Sequence, residues 1–218
     1  LGQMDRLRDI FIRSSQFIVA LAGLVFIPLF VLGDLFLTLW MPTISTKAEV
    51  VLQLLALAGY IGTVTATLPN SVMVGLGKMR QFTIYTTIRA IVLAAFCFIL
   101  IRPLGIEGAG WAVLFTCSVD VVYLVIFLRC YVQIAPSLLM QKAYLKPILL
   151  GATFAALTFL CRPFATSWIG FVAVGSGLTL IYISTGFAIG VFGETEKRTL
   201  VGLWDIVKSF VRYRVLSK

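Results

Sequence analysis

The sequence contains no histidine, and only 12% of its 218 residues are charged, against 60% hydrophobic. Without histidine there is no Ser-His or Cys-His nucleophile pair and no imidazole metal site. A water-soluble domain carries about 25% charged residues. So small a share excludes a soluble globular enzyme, a nucleic-acid-binding domain and a disordered tail, leaving an integral membrane protein. Acidic residues are the scarcer sign, nine against 18 Lys and Arg, for a net charge of +9. Cysteine is sparse too: Cys97, Cys117, Cys130 and Cys161 lie in or at the ends of apolar runs, without the short paired spacing of a zinc set. They read as small core residues. The chain starts at Leu1, and no charged n-region, apolar h-region and cleavage site of a secretory signal precede the first apolar run.

What the sequence has in abundance is long apolar runs. A helical crossing needs roughly 20 apolar residues, because the hydrocarbon core is about 30 Å thick and each residue rises about 1.5 Å. Six segments meet this, at 15–40, 48–76, 80–101, 108–130, 144–161 and 168–193, the fifth being short and opening on Lys146 and Pro147. Val50 to Gly77 and Pro163 to Gly193 carry no charge at all. An outer-membrane barrel strand would alternate apolar and polar residues instead. The fold class expected is therefore all-α, with six transmembrane helices.

Six crossings place both ends on one side, together with the second and fourth connections. That side gathers 14 of the 18 cations, Lys47, Arg102 and Arg162 fall on the other, and Arg89 lies inside a span. By the positive-inside rule both ends are cytoplasmic, and the net charge reflects topology and anionic lipid rather than nucleic acid. Leu1 to Gln16 reads as a cytoplasmic amphipathic lead-in with Leu7, Ile10 and Phe11 on one face, as a connection between two halves of a longer protein would. Residues 194–218 read as a second, basic amphipathic helix. Its apolar positions Leu200, Leu203, Trp204, Val207 and Phe210 recur at three and four, suiting the headgroup plane of the cytoplasmic leaflet or a partner helix.

Charges inside the membrane cost several kcal/mol, so Asp34, Arg89 and Asp120 each need a reason. Arg89 lies nine residues past Arg80, and Asp120 nine before Arg129 on the next, antiparallel span. Both therefore sit roughly 13 Å from the cytoplasmic boundary. An ion pair between them is expected, either tying two helices together or lining a polar cavity for an anionic group or a coupling ion. Asp34 falls toward the outer end of its span, at the interface beside Trp40 or as a coupling residue. The second span holds Thr63, Thr65, Thr67, Pro69, Asn70 and Ser71. Pro69 withholds a backbone bond from the Thr65 carbonyl, so a hinge is expected there, with Thr67 and Asn70 facing a cavity.

Catalysis finds no support. Residues 31–34 read Val-Leu-Gly-Asp, which fails the Gly-x-Gly-Asp setting of an intramembrane aspartyl protease. Gly75, Gly77 and Lys78 lack phosphate-loop spacing and have no strand before them. No catalytic residue, metal ligand or cofactor is expected.

Three stretches carry a family resemblance: FIVALAGLVFIPLFVLGDLFLTLWM (17–41), NSVMVGLGKMR (70–80) and LGIEGAGWAVL (104–114). Together they resemble the C-terminal half of the polysaccharide flippases, in the superfamily that includes the multidrug and toxin extrusion transporters and the lipid II flippases. The most specific element is Leu104, Gly105, Gly108, Ala109, Gly110, Trp111 and Ala112, whose small residues form a close-packing face. The resemblance implies a twelve-span fold of two six-helix lobes around an alternating cavity. Residues 1–193 would be the second lobe, partnered by a missing N-terminal lobe and by membrane lipids. It also implies residence in the bacterial cytoplasmic membrane and translocation of a polyprenyl-diphosphate-linked oligosaccharide for surface polysaccharide. In that setting Arg89 would meet the diphosphate. A cation-coupled multidrug exporter of the same fold, and a membrane interaction module that transports nothing, are the alternatives.

Overall fold

A computed structural model describes residues 2–41 and 46–191, with side chains from Arg8 onward. The amphipathic segment expected over 194–218 lies outside the described residues. Among the described residues seven α-helices follow one another: α1 (Gly2–Trp40), α2 (Thr46–Gly75), α3 (Met79–Leu104), α4 (Ile106–Phe127), α5 (Pro136–Leu139), α6 (Leu145–Cys161) and α7 (Trp168–Ala188). π-helical turns at Leu128–Val132 and Met140–Tyr144 extend α4 and join α5 to α6, and a 3-10 turn at Arg162–Phe164 closes α6. No strand occurs among the described residues. Among the described residues six stretches are long and apolar enough to cross a membrane: Arg8–Trp40, Thr46–Gly75, Met79–Leu104, Ile106–Val132, Pro136–Phe164 and Trp168–Ala188.

Two boundaries differ most from the sequence reading. The lead-in before residue 15 is no separate helix but the first turns of α1, since nothing between Gln3 and Ala22 interrupts a helix. Within it Phe11 is buried, its ring centroid 5.8 Å from that of Phe127, whereas Ile10 stays exposed. The fifth span is longer than 144–161 because the π turn keeps the chain helical back to Pro136. That turn ends just before Pro147, the residue that has no N–H for the preceding helical turn.

Helix ends are fixed by local chemistry. Gly77 adopts φ +68° after α2, so the Gly77 N–H donates to the Val74 carbonyl at 3.0 Å and the Lys78 N–H to Met73 at 3.0 Å. This is a Schellman stop, favoured by glycine in the left-handed region. Gly190 ends α7 the same way, with Val191 N–H donating to Gly186 O at 3.0 Å. Gly186 is buried, while Gly190 serves as the cap.

The helices pack in the lateral order α3, α4, α2, α1, α6, α7. The glycines in the first turns of α4 build the α3/α4/α2 contacts. A Cβ on Gly108 would fall 2.2 Å from the Leu100 carbonyl oxygen of α3, and one on Gly110 3.0 Å from the Leu54 side chain of α2. The small residues thus let α4 approach both neighbours. Phe11, Met73, Phe127, Leu128 and Tyr144 form one core, and Ala20, Leu150, Phe154 and Tyr182 a second, tied where the Tyr182 hydroxyl donates to the Ala20 carbonyl at 2.8 Å. Large apolar side chains such as Ile91, Phe98, Phe159, Ile169 and Val172 stay exposed, as lipid-facing positions would.

Candidate functional site

The intramembrane charges sit in one cluster and one outlying pair. Arg89, in the middle of α3, directs Nε to Oδ1 of Asp120 on α4 at 2.9 Å, the pairing expected from their matching depth. The Asp120 side chain is fully buried, whereas that of Arg89 is 38% exposed. One end of the pair is therefore shielded on all sides and the other is open at the bundle surface. No described residue partners the terminal nitrogens of Arg89.

Two tyrosines complete the cluster. The Tyr85 hydroxyl donates to the same Asp120 Oδ1 at 2.6 Å, and the Tyr85 ring stacks on that of Tyr123 with centroids 3.8 Å apart and planes 13° off parallel. Tyr85 precedes Arg89 by four residues on α3, and Tyr123 follows Asp120 by three on α4, so helical periodicity puts each on the face of its charged neighbour. That spacing was the available signal for both, and the sequence reading did not use it. Asp120 Oδ1 thus accepts from two donors, while Oδ2 is buried with no hydrogen-bond partner, as is the Tyr123 hydroxyl. Oδ2 faces α2 at Gly62, where a Cβ would stand 3.6 Å away. Cys117, one turn before Asp120, donates its thiol to the Ala58 carbonyl of α2 at 3.4 Å.

The other expected cavity residues are not part of this cluster. Thr67 is exposed and lies five residues past Gly62, about 140° around α2, with its carbonyl accepting from Ser71 Oγ at 2.9 Å. Asn70 Oδ1 is buried without a partner. Pro69 is buried, and α2 runs through it without interruption. On the face of α2 near Tyr60, an apolar cleft of about 380 Å³ opens between α1, α2 and α6, walled by Phe26, Phe30, Ala56, Leu57, Ile148 and Gly151.

Asp34 lies toward the end of α1, six residues before Trp40. Its Oδ2 pairs with the Arg162 guanidinium, joining α1 to the turn after α6, and its Oδ1 is buried and unpartnered. Phe36 instead meets Trp40, with ring centroids 5.3 Å apart. Arg162 was missed because it stands in a connection rather than a span, although six alternating crossings put it at the same membrane face as the end of α1. Among the described residues no group of His, Cys, Asp and Glu could hold a metal ion.

The cluster combines a fixed anion, a hydroxyl donor and a guanidinium with free N–H groups at mid-span. It can hold an anionic ligand on the arginine while the carboxylate keeps that arginine in place. Comparison of the chain with protein families, with curated proteins and with solved structures returned no match.

Proposed function

We propose that this chain is one six-helix lobe of a flippase that carries a polyprenyl-diphosphate-linked oligosaccharide across the cytoplasmic membrane for surface polysaccharide assembly. The observation that carries the reading is Arg89: a partly exposed guanidinium at mid-span, held through Nε by a buried carboxylate, with its terminal nitrogens unpartnered among the described residues. A permanent cation exposed within the hydrocarbon is costly unless function requires it. The free edge of its planar fork suits two phosphate oxygens at once, and binding there leaves the bond to Asp120 intact. An isoprenoid tail stays in the hydrocarbon. In an alternating-access cycle this lobe rocks against a second lobe, with Pro69 as the bending point of α2 and the cation excess marking both ends of the chain as cytoplasmic.

The test is complementation. A strain lacking the gene should lose surface polysaccharide and accumulate the lipid-linked precursor, and the wild-type gene should restore export where Arg89→Ala does not.

The buried, unpartnered Oδ2 of Asp120 favours a second reading, in which this carboxylate binds a coupling cation for drug export. Unchanged polysaccharide together with raised drug sensitivity in the deletion strain would select it.

A further inference from the structure

A second guanidinium is held by a shielded acid at the end of the bundle where α1 and α6 stop and α7 begins. Arg162, in the turn after α6, donates from Nη2 to Asp34 Oδ2 of α1. The Arg162 side chain is 40% exposed and that of Asp34 19%. The arrangement matches that of Arg89 with Asp120: the cation is the open member of the pair, and one carboxylate oxygen, here Asp34 Oδ1, is buried without a hydrogen-bond partner. Among the described residues nothing partners Nε or Nη1 of Arg162.

Helical periodicity shows where those N–H groups stand. Arg162 keeps helical backbone angles, φ −52° and ψ −40°, and so continues the rotation of α6. Thr158, four residues back, is fully buried, whereas Phe159, three back, is 63% exposed. Arg162 therefore lies on the seam between the bundle interior, where Asp34 holds it, and the open apolar face of α6. Exposed aromatic side chains mark the same end of the bundle: Trp40 closes α1, and Phe164 and Trp168 follow Arg162 in the chain. Such residues gather at the headgroup level of a membrane. Asp34, six residues before Trp40, lies about 9 Å deeper along α1.

The chemistry of the open edge selects its ligand. A guanidinium offers only donors and a permanent positive charge, so it takes an acceptor, and an anionic acceptor gains most. Asp34 is bonded to Nη2 and is the more shielded partner, so an approaching anion meets the cation first. Between the headgroups and the hydrocarbon, the anionic acceptor joined to an apolar body is the phosphate of a lipid. We propose that Arg162 binds the phosphate ester of a membrane lipid, with Asp34 as its positioning residue and the start of the lipid's hydrocarbon along Phe159. The site does not depend on the role of Arg89.

The test uses the full chain in phosphatidylglycerol vesicles that carry a photoactivatable phospholipid, its diazirine on the first carbons of one acyl chain, with labelled peptides mapped by mass spectrometry. Labelling of residues 159–164 should exceed that from a photoactivatable diacylglycerol of the same chains, which lacks the phosphate, by roughly fivefold. Arg162→Gln should remove this excess. So should Asp34→Asn combined with Arg162→Gln, which leaves no carboxylate without its cation. Added polyprenyl diphosphate separates two sources of the phosphate: displacement of the label assigns the site to that lipid, persistence assigns it to ordinary phospholipid, and both keep a phosphate on Arg162. Equal labelling by the two photoactivatable lipids, or an excess that survives both variants, would overturn the proposal. The comparison of the two lipids on the unaltered chain decides the question by itself if the variants fail to fold.

Discussion

The Tyr85 hydroxyl stands 2.6 Å from Asp120 Oδ1, the same oxygen that Arg89 Nε approaches at 2.9 Å. One carboxylate oxygen therefore orders two residues a single turn apart on α3, and α3 is the helix that most needs ordering. Tyr85 is the one fully buried residue of α3 among those described, and α3 packs chiefly on α4. The polar cluster and the glycine contact at Gly108 are two separate ties holding this outermost helix.

Removing Asp120 should be severe. Asp120→Ala leaves the Arg89 and Tyr85 donors without their acceptor, a loss of two hydrogen bonds to a charged group at about 1.5–3 kcal/mol each. The exchange Arg89→Asp with Asp120→Arg should be more abundant in the membrane than either single change. A double variant no more abundant than the two singles would contradict the pairing as a stabilising element.

Tyr85→Phe should be mild by comparison. It keeps the ring stacked on Tyr123 and removes one hydrogen bond to a charged acceptor, about 1.5–3 kcal/mol at most. Thermal unfolding in detergent should therefore place it between wild type and Asp120→Ala.

Glycine substitutions separate packing positions from open ones. Gly108→Ala pushes a methyl group to within 2.2 Å of a backbone oxygen that cannot move without shifting α3. It should lower the unfolding temperature sharply. Gly175→Ala and Gly177→Ala, with nothing within 4 Å of the new methyl, should be neutral or should stabilise by about 0.5–1 kcal/mol through helix propensity.

The pair of Asp34 with Arg162 should show coupling between the C-terminal ends of α1 and α6. Arg162→Gln leaves the Asp34 carboxylate, already half unsatisfied, without its cation. Arg162→Gln and Asp34→Asn should each destabilise, and the double variant should be less destabilised than the sum. Strict additivity in a double-mutant cycle would show that the two side chains do not support one another.

The six spans were legible because uninterrupted apolar runs leave no other assignment, and the pairing of Arg89 with Asp120 because depth in a membrane can be counted from flanking cations. Tyr85 and Tyr123 escaped notice because a tyrosine in an apolar run looks like any aromatic until the charged residue one turn away is given weight. Thr67 and Asn70 were expected to face a cavity because hydroxyls, an amide and a proline coincide in the second span, whereas helical rotation turns Thr67 well away from Gly62. The partner of Asp34 required knowing which connection folds over the end of α1. The π turn before Pro147 has no sequence signature beyond the proline itself, which is why the fifth span read short.

The central claim rests on Arg89 as the anion-binding group. Its most direct test is surface polysaccharide measured in a deletion strain carrying wild type, Arg89→Lys or Arg89→Ala at matched membrane abundance. The account predicts full export with wild type, reduced export with lysine, which keeps the charge but loses the planar fork, and none with alanine. Full export with alanine at wild-type abundance would contradict it.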